Sequence, residues 1–169
     1  MRACSAATRE TYTSATVINW HPVEELCEFV EVAESKLSIA HRKLIEEIGA
    51  AGARANMQGT LLRLAFYWGK PEFMMKRIAS LWRQFNDEEE MSLISFDDRR
   101  GQVEVRGIVR PRESFCRLLT GWCIEVTTTL GAQNTAGQHV SCRCRGEARC
   151  VWEVRAVYDA EKRKGLAAG

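Results

Sequence analysis

The residues best suited to hold a metal ion lie in one stretch, QHVSCRCRGEARCVWEV (138–154), which contains one of three histidines and three of seven cysteines. Zinc takes four nitrogen or sulfur donors at tetrahedral angles, so candidate ligands must converge on one point. A hairpin turning at Gly146 gathers His139, Cys142, Cys144 and Cys150, and Cys116 on a preceding helix could close the site from above. Cys123 lies seven residues beyond Cys116 on nearly the same helical side and is a further reserve. In a regular strand Cys142 and Cys144 share one face and His139 takes the other. A site using both His139 and Cys142 therefore needs a bulge or an irregular strand start; if the strand is regular, Cys144 is the ligand. A competing chemistry is thiol redox, with Arg143, Arg145 and Arg149 depressing the thiolates of Cys142 and Cys144.

The elements that must position these residues follow from hydrophobic period. Residues 1–18 have no clear period and are expected to be a poorly ordered arm. Pro22 starts a helix whose Val23, Leu26, Cys27 and Val30 share a face, and a second helix is predicted over 35–50, ended by Gly49 and Gly52. Further helical stretches are read at 61–66 and 74–85, followed by a charged, solvated turn at Asn86–Glu90. The period then changes to two through 92–96 and 103–108, a hairpin. Pro111 opens a long helix to about Leu130, capped by Gly131, with Phe115, Leu118, Leu119, Trp122 and Val126 on its apolar face. A last hairpin pairs 138–145 with 150–157, and 158–169 is a polar tail. The predicted class is α+β: N-terminal helices packed on an antiparallel sheet built from two hairpins, with a long helix between them. One domain is expected over 19–157.

Composition limits the functions available. The chain has 169 residues, 46% hydrophobic and 27% charged, with a formal net charge of +2. Such a small charge argues against a nucleic-acid partner, and no apolar run reaches the length of a membrane span. The N-terminus lacks the apolar core of a secretory signal, so a cytoplasmic protein is expected, where cysteines serve as metal ligands or free thiols more often than as disulfides. Neither a Gly-rich phosphate loop nor a dinucleotide fingerprint occurs. Glu125 and Glu153 read as ordinary solvent-side carboxylates, and His21 and His41 as solvated or capping side chains.

The Pro-led helix with Cys116 and Gly121, followed by Cys142-x3-Gly146-x3-Cys150 and the apolar VWEV, resembles the vinyl-4-reductase-like domain family. That family shares its fold with haem nitric-oxide-binding domains and vesicle-trafficking subunits. The resemblance spans roughly residues 20–157, with its specific motifs between 111 and 154. The "LW…FND" phrase (Leu81, Trp82, Phe85, Asn86, Asp87) is similar to one in an uncharacterised myxobacterial family.

The resemblance implies a bacterial signalling role as a non-enzymatic sensory or small-molecule-binding domain, with a structural zinc beside a cavity for an aromatic or other hydrophobic ligand. Carried over residue by residue, the zinc ligands fall on Cys116, His139, Cys142 and Cys150. His139 stands where the family has an acidic ligand, and zinc accepts it. The pocket is expected between the N-terminal helices and the sheet, lined by Leu64, Trp68, Met74, Ile78, Trp82 and Trp122, unless those side chains simply fill a core. The axial histidine and Tyr-x-Ser-x-Arg clamp of haem-binding relatives are not found, so no haem is expected. The alternatives are a dimerising adaptor that docks a signalling partner, or an accessory protein in tetrapyrrole or other hydrophobic-ligand metabolism.

Overall fold

A computed structural model describes residues 3–14, 21–37, 43–57, 77, 80, 82–97 and 99–158. The elements are α1 (Ala6–Ser14), α2 (Val23–Leu37), α3 (Leu44–Asn56), β1 (Glu90–Phe96), β2 (Arg100–Arg106), α4 (Glu113–Thr129), β3 (Ala132–Ser141), a 3₁₀ turn (Arg143–Arg145) and β4 (Cys150–Tyr158). The class is α+β as expected, with four helices among the described residues set against one antiparallel sheet.

The segment expected as an unstructured arm contains α1. Its missing hydrophobic period misled because polar contacts hold it: the Thr8 amide donates to Ser5 Oγ at 3.2 Å, an N-cap arrangement. Glu28 of α2 accepts from Ser5 and Thr8, Glu25 accepts from Thr11, and the rings of Tyr12 and Phe29 stack at 4.1 Å. In α2, Glu24 and Glu25 occupy the first turn and Lys36 the last, each sign complementing the helix dipole.

The predicted second helix is displaced. Residues 35–37 belong to α2, and α3 passes through Gly49 and Gly52 to Asn56. These glycines do not terminate the helix; Gly49 allows it to cross α4. A Cβ on Gly49 would stand 1.9 Å from the Leu118 carbonyl oxygen, and one on Gly121 would stand 1.8 Å from that of Glu46. Arg117 clamps the crossing, with Nε donating to Glu46 at 2.8 Å and its terminal nitrogens donating to Glu34 at 2.7 Å. The helices expected at 61–66 and 74–85 fall mostly outside the described residues.

The sheet order is β1-β2-β4-β3, all antiparallel, so α4 carries the chain from β2 over β4 to the far edge. β3 begins at Ala132 rather than Gln138. Gly131, with a φ of 87°, ends α4 in the expected place. Phe115, Leu119, Trp122, Cys123 and Val126 of α4 pack with Met91, Val103, Val105, Trp152 and Val154 of the sheet to form the core.

The opposite sheet face departs from the expected solvated surface. Glu153 is only 4% exposed, covered by Arg155 at 2.9 Å, Gln102 at 2.8 Å and Arg100 at 3.7 Å. Glu125 is paired with Arg54 at 2.9 Å. Within the predicted charged turn Glu89 is buried, and desolvation, then the charge of Glu88, push its carboxyl above the usual range.

Candidate metal centre and adjoining cavity

The centre is assembled from one helix and one hairpin. Cys116 lies in the first turns of α4 facing β4, and its carbonyl accepts Trp152 Nε1–H at 3.1 Å. His139 pairs with Trp152 across the β3–β4 ladder, their rings stacked at 4.2 Å and 9°. Between His139 and Ser141 the register slips, which is the bulge that parity demands if His139 and Cys142 are to face the same point. After it Cys142 is extended and the chain turns through the 3₁₀ segment to Gly146, whose φ of 84° suits a residue without a Cβ. The turn is fixed by the amides of Arg145 and Glu147 donating to the Cys142 carbonyl, and by the Glu147 carboxylate accepting the Cys142 amide. Arg143 N–H reaches Cys150 Sγ at 3.4 Å.

One donor atom from each of Cys116, His139, Cys142 and Cys150 lies within 4.8 Å of the other three. The Sγ atoms of Cys116 and Cys142 are 3.9 Å apart, and a tetrahedron with zinc–sulfur bonds of about 2.3 Å has edges of about 3.8 Å. His139 Nε2 is buried and has no hydrogen-bond partner, a costly state for an imidazole nitrogen unless something binds it. Three thiols and one imidazole form a donor set that zinc prefers, so the residues fit the ion the resemblance implies.

The electrostatics agree with a site that must shed protons to bind a cation. Desolvation first, then Cys150 and Cys142, push the Cys116 thiol far up, and desolvation also raises Cys150. His139 is lowered to about 4 by desolvation and by Arg145, so its imidazole is neutral and able to ligate at neutral pH. A cation held there would supply the charge that burial denies the thiolates.

Two reserves stand outside this set. Cys144 is exposed because the predicted strand gives way to the 3₁₀ turn, and Cys123 is buried in the apolar core, its thiol raised to about 12 by desolvation alone. The neighbouring arginines do not depress Cys144. Desolvation and Cys142 raise Cys144, while Arg143 is spent on the Ile108 carbonyl, Arg145 on the His139 carbonyl at 3.2 Å and Arg149 on Glu104 at 3.8 Å.

On the other side of α4 lies a cavity of about 580 Å³. Its described lining includes Val23, Leu26, Ile48, Phe115, Leu118 and Leu119, with Gln84, Asn56 and Asn86 as polar groups and no Asp, Glu, Lys or Arg. Of the expected pocket residues Trp82 and Trp122 are present, in edge-to-face contact at 5.6 Å with Trp82 Nε1 donating to the Glu89 carbonyl. Leu64, Trp68, Met74 and Ile78 lie outside the described residues, as does His41. His21 is at the cavity. Sequence reading missed the α4 side of the lining because Phe115, Leu118 and Leu119 carry the same apolar signal as core residues.

No family model matches the chain, and no curated protein matches it. Solved structures do. The phenol-responsive sensory domain of the transcription activator PoxR, with phenol, aligns over 89% of this chain and 82% of its own at 11% identity and a TM-score of 0.59. An H-NOX protein from S. oneidensis in the Fe(II)NO ligation state aligns over 89% and 88% at 10% identity and a TM-score of 0.62. Subunit 3 of a trafficking protein particle complex from Naegleria fowleri, covalently bound to palmitic acid, aligns over 89% and 94% at 11% identity and a TM-score of 0.49. At such identities the likeness to the first two is one of fold, the architecture this chain shares with them. No helix among the described residues is long and apolar enough to cross a membrane.

Proposed function

We propose that this chain is a non-enzymatic small-molecule-binding sensory domain of the vinyl-4-reductase-like kind, spanning residues 19–157 with α1 packed on α2. In this reading zinc held by Cys116, His139, Cys142 and Cys150 staples the β3–β4 hairpin to α4, and a neutral apolar or aromatic ligand occupies the cavity. The observation that carries it is the double use of α4: Phe115, Leu118 and Leu119 face the cavity, while Cys116 between them reaches the four-donor cluster.

A four-donor protein site has no vacant position at which water or substrate could be activated, so the ion supplies folding energy. A cavity whose described lining carries no Asp, Glu, Lys or Arg favours an uncharged ligand, with the Gln84, Asn56 and Asn86 amides available to orient a hydroxyl or carbonyl. A sensor passes its signal on, which places a homodimer or a signalling partner in the same proposal.

Metal analysis of the purified protein is expected to find about one zinc per chain. A thermal-shift screen with phenols, other neutral aromatics and fatty compounds is expected to find at least one stabilising class. Folded protein free of metal would overturn the zinc assignment, and a flat screen would overturn the ligand assignment.

A further inference from the structure

Glycines inside α3 and α4 call for a reason, because glycine in a helix loses more backbone freedom on folding than alanine does. Gly49 and Gly121 have one, since each lets a backbone carbonyl of the other helix come close. Gly52 has neither that reason nor a left-handed φ: among the described residues nothing stands within 4 Å of a would-be Cβ, and its backbone is helical. Packing and conformation both leave it unexplained.

Its place on the helix supplies the explanation. Ile48, Gly49, Gly52 and Asn56 are the α3 residues that line the cavity. With about 3.6 residues per turn, position 52 falls inside the arc that the other three span, so a side chain there would stand over the cavity. Gly52 is itself exposed, and the space beside it is open. The size of that space is informative. A cavity of about 580 Å³ is nearly four times the ~150 Å³ in which benzene fits. A single ring would leave most of the apolar wall without partner atoms, forfeiting its dispersion contacts.

We propose that the ligand is a neutral aromatic molecule of two or three fused rings bearing one hydroxyl or carbonyl, and that Gly52 determines this size preference by leaving α3 bare where the rings lie. The proposal rests on the ligand reading above and specifies the class of guest. Trp82 and Trp122, already edge to face at 5.6 Å, offer a guest ring the same geometry. Asn56, one turn beyond Gly52 on the cavity side of α3, is placed to meet the oxygen.

The test titrates the purified protein in a calorimeter with phenol, 2-naphthol and 9-phenanthrol, which carry one hydroxyl on one, two and three rings. The unaltered chain is expected to bind both fused-ring probes at least about tenfold more tightly than phenol. Gly52→Leu should weaken 9-phenanthrol at least about tenfold and phenol less than about twofold, because its added carbons occupy space that only the larger guest needs. Gly52→Ala should shift the same preference by a smaller factor, and it decides the matter if the leucine variant does not fold. Ala51→Leu, on an exposed α3 position outside the cavity lining, should leave all three affinities as they were. An unaltered chain that favours phenol or binds none of the three would overturn the proposal, as would position-52 variants that keep the unaltered order of preference. The ligand reading itself falls only if the wider screen of neutral aromatics and fatty compounds is flat as well.

Discussion

His139 shows how much a single residue can depend on its neighbours. Its Nε2 is buried without a partner, its ring lies flat on Trp152, and burial with Arg145 keeps it neutral. Cys142→Ser and Cys150→Ser are each expected to lose most of the bound zinc and to lower the melting temperature steeply, whereas His139→Cys should retain metal because thiolate can replace imidazole. Trp152→Phe removes the donor to the Cys116 carbonyl and to Thr120 Oγ1, which should cost about 2 kcal/mol in denaturant unfolding and weaken metal retention by loosening the ring beneath His139. The four donors were legible in the sequence through their resemblance to a known pattern, with spacing alone leaving Cys144 as an alternative. The cluster of the four residues forms through a register slip and a left-handed Gly146, features of backbone geometry that alternation of residue types cannot reveal.

At the scale of elements, Gly49 and Gly52 differ in meaning although they are three residues apart. Gly49→Ala or Gly121→Ala would drive a methyl into a backbone carbonyl and is expected to destabilise by at least about 2 kcal/mol. Gly52 has nothing within 4 Å of its would-be Cβ, so Gly52→Ala should stabilise by up to about 1 kcal/mol through helix propensity. Parallel urea titrations of these variants check both signs. Beside the crossing, burial alone would raise Glu46, but hydrogen bonds from Arg117 and the backbone and the Arg117 charge outweigh it, holding the carboxyl below its ordinary 4.5. A depressed carboxyl contributes stability that is present above pH 4.5 and is lost as pH falls through the lower native value. The unfolding free energy should therefore fall with acid in the unaltered chain, with a shallower slope in Glu46→Gln. Helix periods located α2 and α4 well because each turns one apolar stripe to the core. They misplaced α3, whose glycines are there for a close approach, and overlooked α1, which polar caps hold.

For the molecule as a whole, the α+β class and the order of helices, hairpin, helix and hairpin were legible, since the change of period at about residue 90 and the glycine that ends α4 both hold in the structure. The sheet order was not, because pairing of β2 with β4 joins residues about fifty positions apart that carry no mark of one another. The cavity was legible only in Trp82 and Trp122, as its remaining described walls carry the same apolar signal as core residues. Light scattering is expected to give a mass near twice 19.1 kDa if the sensory reading extends to a dimer. A final consequence follows from α4, which touches the cavity with Phe115 and the thiol cluster with Cys116, the next residue. If two sites on one helix are coupled, the coupling is reciprocal: whatever factor a guest in the cavity added to the affinity for an ion, the ion would add to the affinity for the guest. Cobalt substituted at the cluster would turn that reciprocity into colour, its visible bands moving as the cavity fills, and bands indifferent to a guest that binds would show the two sites to be independent.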